Sequence, residues 1–322
     1  MENDLNNYMQ KNERGHAYQN ADEQIDLREL FSAIWQGKWI IIIITFLFTV
    51  VSVFYAINQP NIYKSEALLA PAEQEKNGGL GGLAGQFGGL ASLAGVNLGG
   101  ISSNKSELAI EILKSRQFTS EFIKKHNLLP YLLAVDSWEL ESNTLNFNTE
   151  IYNPDTNTWV RDVKAPKKPE PSMQEAYKEF REIITLNTDK ETGMLRLSIQ
   201  HKSPVIAQQW VNWLINDINS EMKKRDVAEA NKSTEFLTKQ LEKTKIVDIR
   251  AMLFKLIEEQ TKTIMFANVR DEYVFKTIDP ALVPEEKSGP KRALICILGM
   301  FLGGILSIVF TLLMYFSRRK LT

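Results

Sequence analysis

The sequence predicts an α/β membrane protein, with two transmembrane helices flanking an α/β base that carries a long extended helical hairpin. Three observations lead there. Two charge-free apolar runs lie at Trp39 to Ile57 and Ala293 to Phe316, each long enough to cross a hydrocarbon core of about 20 residues. Short alternating segments lie on the inner sides of both runs. Between them, Pro204 to Lys243 contains no glycine and no further proline.

Both apolar runs are read as anchors. The first starts too far into the chain and is too long for a signal-peptide core. Two spans put both termini on one side. Arg28, Lys38 and the "SRRK" segment from Ser317 favour cytoplasmic ends. In a Gram-negative cell, residues 58–292 are then periplasmic and the protein sits in the inner membrane. The expected organisation is a cytoplasmic tail (1–38) ending in an interfacial helix or the first turns of the span, a first span (39–57), a periplasmic domain (58–292), a second span (293–316) and a short cytoplasmic tail (317–322). Within the periplasmic domain the base takes 58–202 and 271–280, the hairpin about 203–270, and a Pro-rich connector 280–290.

The elements follow in order. Leu27, Leu30, Phe31, Ile34 and Trp35 recur at helical spacing before the first span. Ile62 to Ala72 reads as a strand ended by Pro71. Asn77 to Gly100 holds ten of the chain's 17 glycines. It keeps an apolar i, i+3, i+4 rhythm and suits an ordered apolar loop or weak helix. Ser103 to Leu133 reads as one or two amphipathic helices, with Ser103 or Ser106 as cap and Pro130 near the stop. Asn153 to Pro171 is loop by composition. Ser172 to Ile183 is a short helix, and Ile184 to His201 two strands about a polar turn. Ser203 as N-cap and Pro204 at the first helical position open the long helix. Val211, Leu214, Ile215, Ile218 and Met222 form its apolar stripe, and the polar continuation must leave the core. A break near Thr244 to Val247 precedes a return helix. Glu272 to Asp279 closes the base as a strand. Such a hairpin needs neighbours to cover it, and copies of the same chain are the simplest.

Several functions lack support. Lys and Arg number 38 against 39 Asp and Glu, so no basic excess points to nucleic acid. Cys296 is the lone cysteine, within the second span. His16, His126 and His201 are scattered and read as surface residues. No nucleophile elbow, metal-ligand spacing or phosphate loop appears. Glu258 and Glu259 are adjacent, about 100° apart on a helix; they read as surface charges, with Glu258 near Lys255 and Lys262. No cofactor is expected.

The juxtamembrane segment is the most distinctive. Pro280, Pro284 and Pro290, followed by Lys291, precede the second span, and Gly299, Gly303 and Ser307 then stand at four-residue steps beside Gly304. Proline fixes φ and stiffens the connector; small residues at that spacing let transmembrane helices approach closely. The pattern Ala281, Pro284, Pro290-Lys291 and Gly303-Gly304 resembles the Wzz-type chain-length determinants, the polysaccharide co-polymerases of bacterial inner membranes. Gly289 stands where that family usually has Ser. Ile25 to Trp39, the start of the long helix, and Leu256 to Ala281 are also similar. The resemblance implies a non-catalytic, ring-like homo-oligomer that sets the modal length of lipid-linked O-antigen made by a Wzy-type polymerase. The cytoplasmic kinase domain of related capsule systems is not expected, because too few residues follow the second span. Lys223, Lys224, Arg225, Lys232 and Lys239 on the hairpin are candidate glycan contacts, or a solvated face. A two-span sensor or an export component is the alternative.

Overall fold

A computed structural model describes residues 27–72 and 101–319; the Gly-rich segment 77–100, His16 and the N-terminal tail lie outside the described residues. The chain divides into two units, one holding the described residues 27–59 and 291–319, the other Pro60–Pro290.

The first unit is helical. α1 (Leu27–Gln36) is followed after Gly37 by α2 (Lys38–Asn58). The last helix of the chain, Arg292–Arg319, packs along α2 and also meets α1. Lys38–Asn58 and Arg292–Ser317 are both long and apolar enough to span a membrane, and most of their large apolar side chains face outward. Outward apolar surface of this extent is what a lipid environment covers.

The second unit is a mixed helix-and-sheet domain. β1 (Tyr63–Pro71) is followed by α3 (Ile101–Lys114), α4 (Arg116–Lys125) and the one-turn α5 (Leu129–Leu133). Two small hairpins come next, β2 (Val135–Glu139) with β3 (Thr144–Phe147), and β4 (Tyr152–Asn153) with β5 (Thr158–Trp159). Then follow α6 (Met173–Ile183), β6 (Ile184–Thr188), β7 (Leu195–His201), α7 (Pro204–Lys243), α8 (Val247–Val269), β8 (Phe275–Asp279) and finally, in the first unit, α9 (Arg292–Arg319). The main sheet has the order β6-β7-β1-β8, all antiparallel. β1 thus pairs with strands far from it in the chain, which ties the start of the domain to its end.

β1 buries alternate residues, Ser65, Ala67 and Leu69, as a strand with one covered face must. The cover is the first half of α7, whose Trp210, Val211, Leu214, Ile218 and Met222 are buried in one core with Leu195, Leu197, Ile199 and Phe275. Phe122 of α4 and Phe180 of α6 close the remaining side. At about 1.5 Å per residue the 40-residue α7 is about 60 Å long. Beyond Met222 only Ala230 is buried on it, and α8 packs back along it.

Local chemistry accounts for the boundaries. Ser203 accepts from the Ile206 N–H and Pro204 occupies the first turn of α7, as expected. α8 starts after the break at Thr244 to Ile246. Three expectations are corrected. Ser103 and Ser106 lie inside α3, and the cap in this region is Ser115, whose Oγ accepts from the Phe118 N–H at the start of α4. Pro130 sits in the first turn of α5 rather than near a stop, because proline's missing N–H costs nothing there. Asn153 to Pro171 is not wholly loop, since Asn153 belongs to β4 and Thr158–Trp159 to β5.

Candidate functional site

In the first unit the four-residue steps on α9 meet α2. A Cβ on Gly299 would collide with the Ser52 side chain, and one on Gly303 would lie 2.6 Å from Phe48 Cβ. Ser307 is fully buried, its Oγ within 3.4 Å of Thr45 Oγ1. Thr311 extends the row by one more step and occupies the space that a side chain at Gly37 would need. Glycine is therefore required at 299 and 303 by the close approach of two helices of the same chain. Gly304 differs: nothing lies within 4 Å of a Cβ placed there.

The Pro-rich connector belongs to the second unit and is held by more than its prolines. Ile62 and Gly289 form an antiparallel bridge, and the Ser288 N–H and Oγ both donate to Ile62 O. Further up, Ser65 Oγ donates to Leu282 O at 2.7 Å and Gln208 Nε2 to Ala281 O at 3.2 Å. Ala281 is only 3% exposed. The connector thus lies back along β1, and the Ile62–Gly289 bridge joins the two chain segments just inside Pro60 and Pro290, where the chain leaves this unit. Pro280 is exposed, Pro284 and Pro290 half-buried, and Lys291, which opens the other unit, is exposed.

The hairpin cations do not gather into one site. Arg225 pairs with Glu221 and Lys239 with Glu235, each at 2.6 Å and one helical turn apart. Lys224 and Lys232 are exposed and Lys223 is half-buried. Exposed i,i+4 pairs add little to stability. Lys262 bridges Glu258 at 2.8 Å and Glu259 at 3.5 Å, as the spacing suggests.

Three polar networks were not evident from local pattern. Asn219 on α7 is 3% exposed. Its Oδ1 accepts from the N–H groups of Tyr273, Val274 and Phe275 at 3.1, 2.8 and 3.0 Å, and its Nδ2 donates to Phe275 O at 3.1 Å. One side chain therefore fixes the turn by which α8 feeds β8. Asp226, two turns further along α7, accepts from Lys105 Nζ and from Tyr273 Oη, both at 2.6 Å. Burial, then the Asp226 carboxylate, push the Tyr273 hydroxyl well above its ordinary value, so it stays a donor. Asp217 accepts from Lys125 Nζ and lies 2.9 Å from His126 Nε2, while the His126 ring stacks on Trp213 at 4.2 Å.

The surface expectation for the histidines fails at His201, 8% exposed, and at His126, which is mostly covered. His201 Nδ1 accepts from the Ser203 N–H at 2.9 Å and Nε2 faces Tyr131 O at 3.0 Å. Burial holds its pKa below the ordinary value. Burial likewise lowers that of Lys202, whose Nζ donates to Val135 O. The loop before α6 is drawn to Glu175, which completes a capping box with Ser172 and pairs with Arg161 at 2.6 Å and Lys167 at 3.1 Å. The Arg161 guanidinium, then Lys167, hold the Glu175 carboxyl down to about 2. No group of His, Cys, Asp and Glu that would hold a metal occurs among the described residues. These networks fix helix ends and backbone rather than converge on an open cleft.

Two helices long and apolar enough to span a membrane and a mixed helix-and-sheet domain carrying a long hairpin define the class. Residues 23–126 match the Wzz family, described as chain length determinant protein. The match covers α1 to the end of α4 and leaves out the connector and α9. Similar solved structures include a full-length bacterial polysaccharide co-polymerase, at 14% identity over 92% of this chain and 99% of that one, TM-score 0.37. A fragment of WzzB, a polysaccharide co-polymerase from Salmonella Typhimurium, is 12% identical over 71% of this chain and 100% of that one, TM-score 0.28. The Shigella flexneri lipopolysaccharide O-antigen chain-length regulator is 12% identical over 70% and 100%, TM-score 0.20. No curated protein matches the chain.

Proposed function

We propose that the chain is a non-catalytic scaffold of the inner membrane that regulates polysaccharide chain length, in particular the modal length of lipid-linked O-antigen made by a Wzy-type polymerase. The observation that carries this reading is the Wzz family match over residues 23–126. It is supported by two helices long enough to span a membrane and by a hairpin whose outer surface is left uncovered in a single chain. Phe236, Ile249, Met252, Phe254 and Met265 are all exposed there, and apolar side chains so placed favour association with copies of the same chain. The reading puts Pro60–Pro290 in the periplasm, both termini in the cytoplasm, and ring-like homo-oligomers in the membrane. Length control then comes from geometry: each subunit offers the same surface at a fixed repeat to the growing glycan or its polymerase, with no bond made or broken by this chain.

Deleting the gene and resolving surface polysaccharide on a gel tests it. The expected result is intact sugar with a lost or shifted length mode, restored by the wild-type gene. Little surface sugar of any length would instead mark an export component, and an unchanged profile would reject the proposal.

A further inference from the structure

α6 turns Ala176 and Phe180 into the core and leaves Gln174, Tyr177, Lys178, Arg181 and Glu182 along one side. With Arg116, the first residue of α4, these six line a cavity of about 470 Å³. That volume lies in the range, roughly 300–1,000 Å³, of small-molecule sites. Three cations and one carboxylate share the lining. The cavity is also built rather than incidental. Tyr177 is fixed by its hydroxyl, which donates to Lys114 O at 3.1 Å, and the Arg116 guanidinium lies 5.6 Å from the centre of its ring. The Arg181 Nη1 is buried and has no hydrogen-bond partner among the described residues.

A buried guanidinium nitrogen without an acceptor is costly, because it has lost water and gained nothing. Arg181 also lines the cavity, and an anion there offsets the charge of its guanidinium. Arginine presents paired donors that suit the two oxygens of a carboxylate or phosphate. The Ser115-capped start of α4, which carries Arg116, adds the partial positive charge of a helix N-terminus. Gln174 both donates and accepts, which suits the hydroxyls of a sugar ring.

We propose that this cavity binds the anionic group, carboxylate or phosphate, of a saccharide unit, with Arg181 and Arg116 as its direct contacts. The anion follows from the lining itself; the saccharide rests on the polysaccharide function proposed above. The cavity then reads the charge of the glycan, separately from the hairpin cations.

Three ligands with the same sugar ring test it, D-glucuronate, glucose 1-phosphate and D-glucose, each added to the full chain in lipid discs and followed by saturation-transfer NMR. Transfer to glucuronate, to glucose 1-phosphate or to both, with none to glucose, is the expected result, and it tells carboxylate from phosphate. Arg181→Gln and Arg116→Gln should each raise the half-saturating concentration roughly tenfold with no loss of melting temperature. Equal transfer to glucose, no transfer to any of the three, or undiminished binding in both variants overturns the proposal. So does a changed oligomer size in Arg181→Gln without sugar binding, which assigns the cavity to a subunit contact. The gel profile from cells carrying the wild-type gene is read alongside. A restored length mode without ligand transfer rejects the cavity and keeps the function; transfer without any effect on length does the reverse.

Discussion

Asn219 stands out among single residues because three backbone donors converge on one oxygen inside the core. Removing the amide leaves those N–H groups without a partner, at ~1–3 kcal/mol each. Asn219→Ala is therefore expected to lower unfolding free energy by at least ~3 kcal/mol, measured by denaturant titration of the solubilised chain. A loss under ~1 kcal/mol would mean that water takes over the role. His201 sets a pH dependence. Its folded value lies below the unfolded one of about 6.5, because burial penalises the charged ring. Between the two values the unfolded chain binds more protons. The contribution is thus complete above about pH 6.5 and is lost as pH falls, at up to ~1.4 kcal/mol per unit. Melting temperature followed from pH 7.5 to 5 should fall, and His201→Gln should flatten the slope.

The elements separate what local pattern can show from what it cannot. Ser203-Pro204 opens α7 where the sequence places it, because a cap and a proline in the first turn act within four residues. The β6–β7 hairpin and the break before α8 are equally local. β1 as the strand between β7 and β8 is not, since nothing near Tyr63 specifies partners more than 120 residues away. Asn219 carried a faint signal: it sits four residues after Ile215 and three before Met222, a polar side chain inside an apolar stripe. Such a position is filled by a partner that only the folded chain reveals. The anion cavity was illegible because Arg116 and Arg181 come from different helices. For α9 the spacing of Gly299, Gly303 and Ser307 was visible, but not that their partner is α2. Gly303→Leu is expected to overpack that contact, at ~1–3 kcal/mol, and to lower the melting temperature in detergent. Gly304→Leu should leave it unchanged, because its Cβ meets open space. Equal loss in both variants would refute this assignment.

At the scale of the molecule, stability and the proposed function are set by different parts of one helix. The buried core draws on α7 only as far as Met222. Beyond it the hairpin holds to itself through α8, with exposed pairs such as Lys239–Glu235 and Lys262–Glu258 and uncovered Phe236, Met252 and Phe254. A segment that adds so little to the core has another reason to be long, and a repeated reach shared between copies is the one that the length-control reading offers. Replacing residues 231–264 by a short Gly-Asn turn removes the outer hairpin but keeps Asn219, Asp226 and Tyr273, which join α7 to β8. The shortened chain is expected to insert in the membrane and melt within a few degrees of wild type, because surface changes away from core contacts cost little. In deletion cells it should restore surface sugar without restoring the wild-type length mode, as read on a gel. A wild-type length distribution from that chain would show that the outer hairpin plays no part in setting length, and would move the determinant to the base, the connector or the spans.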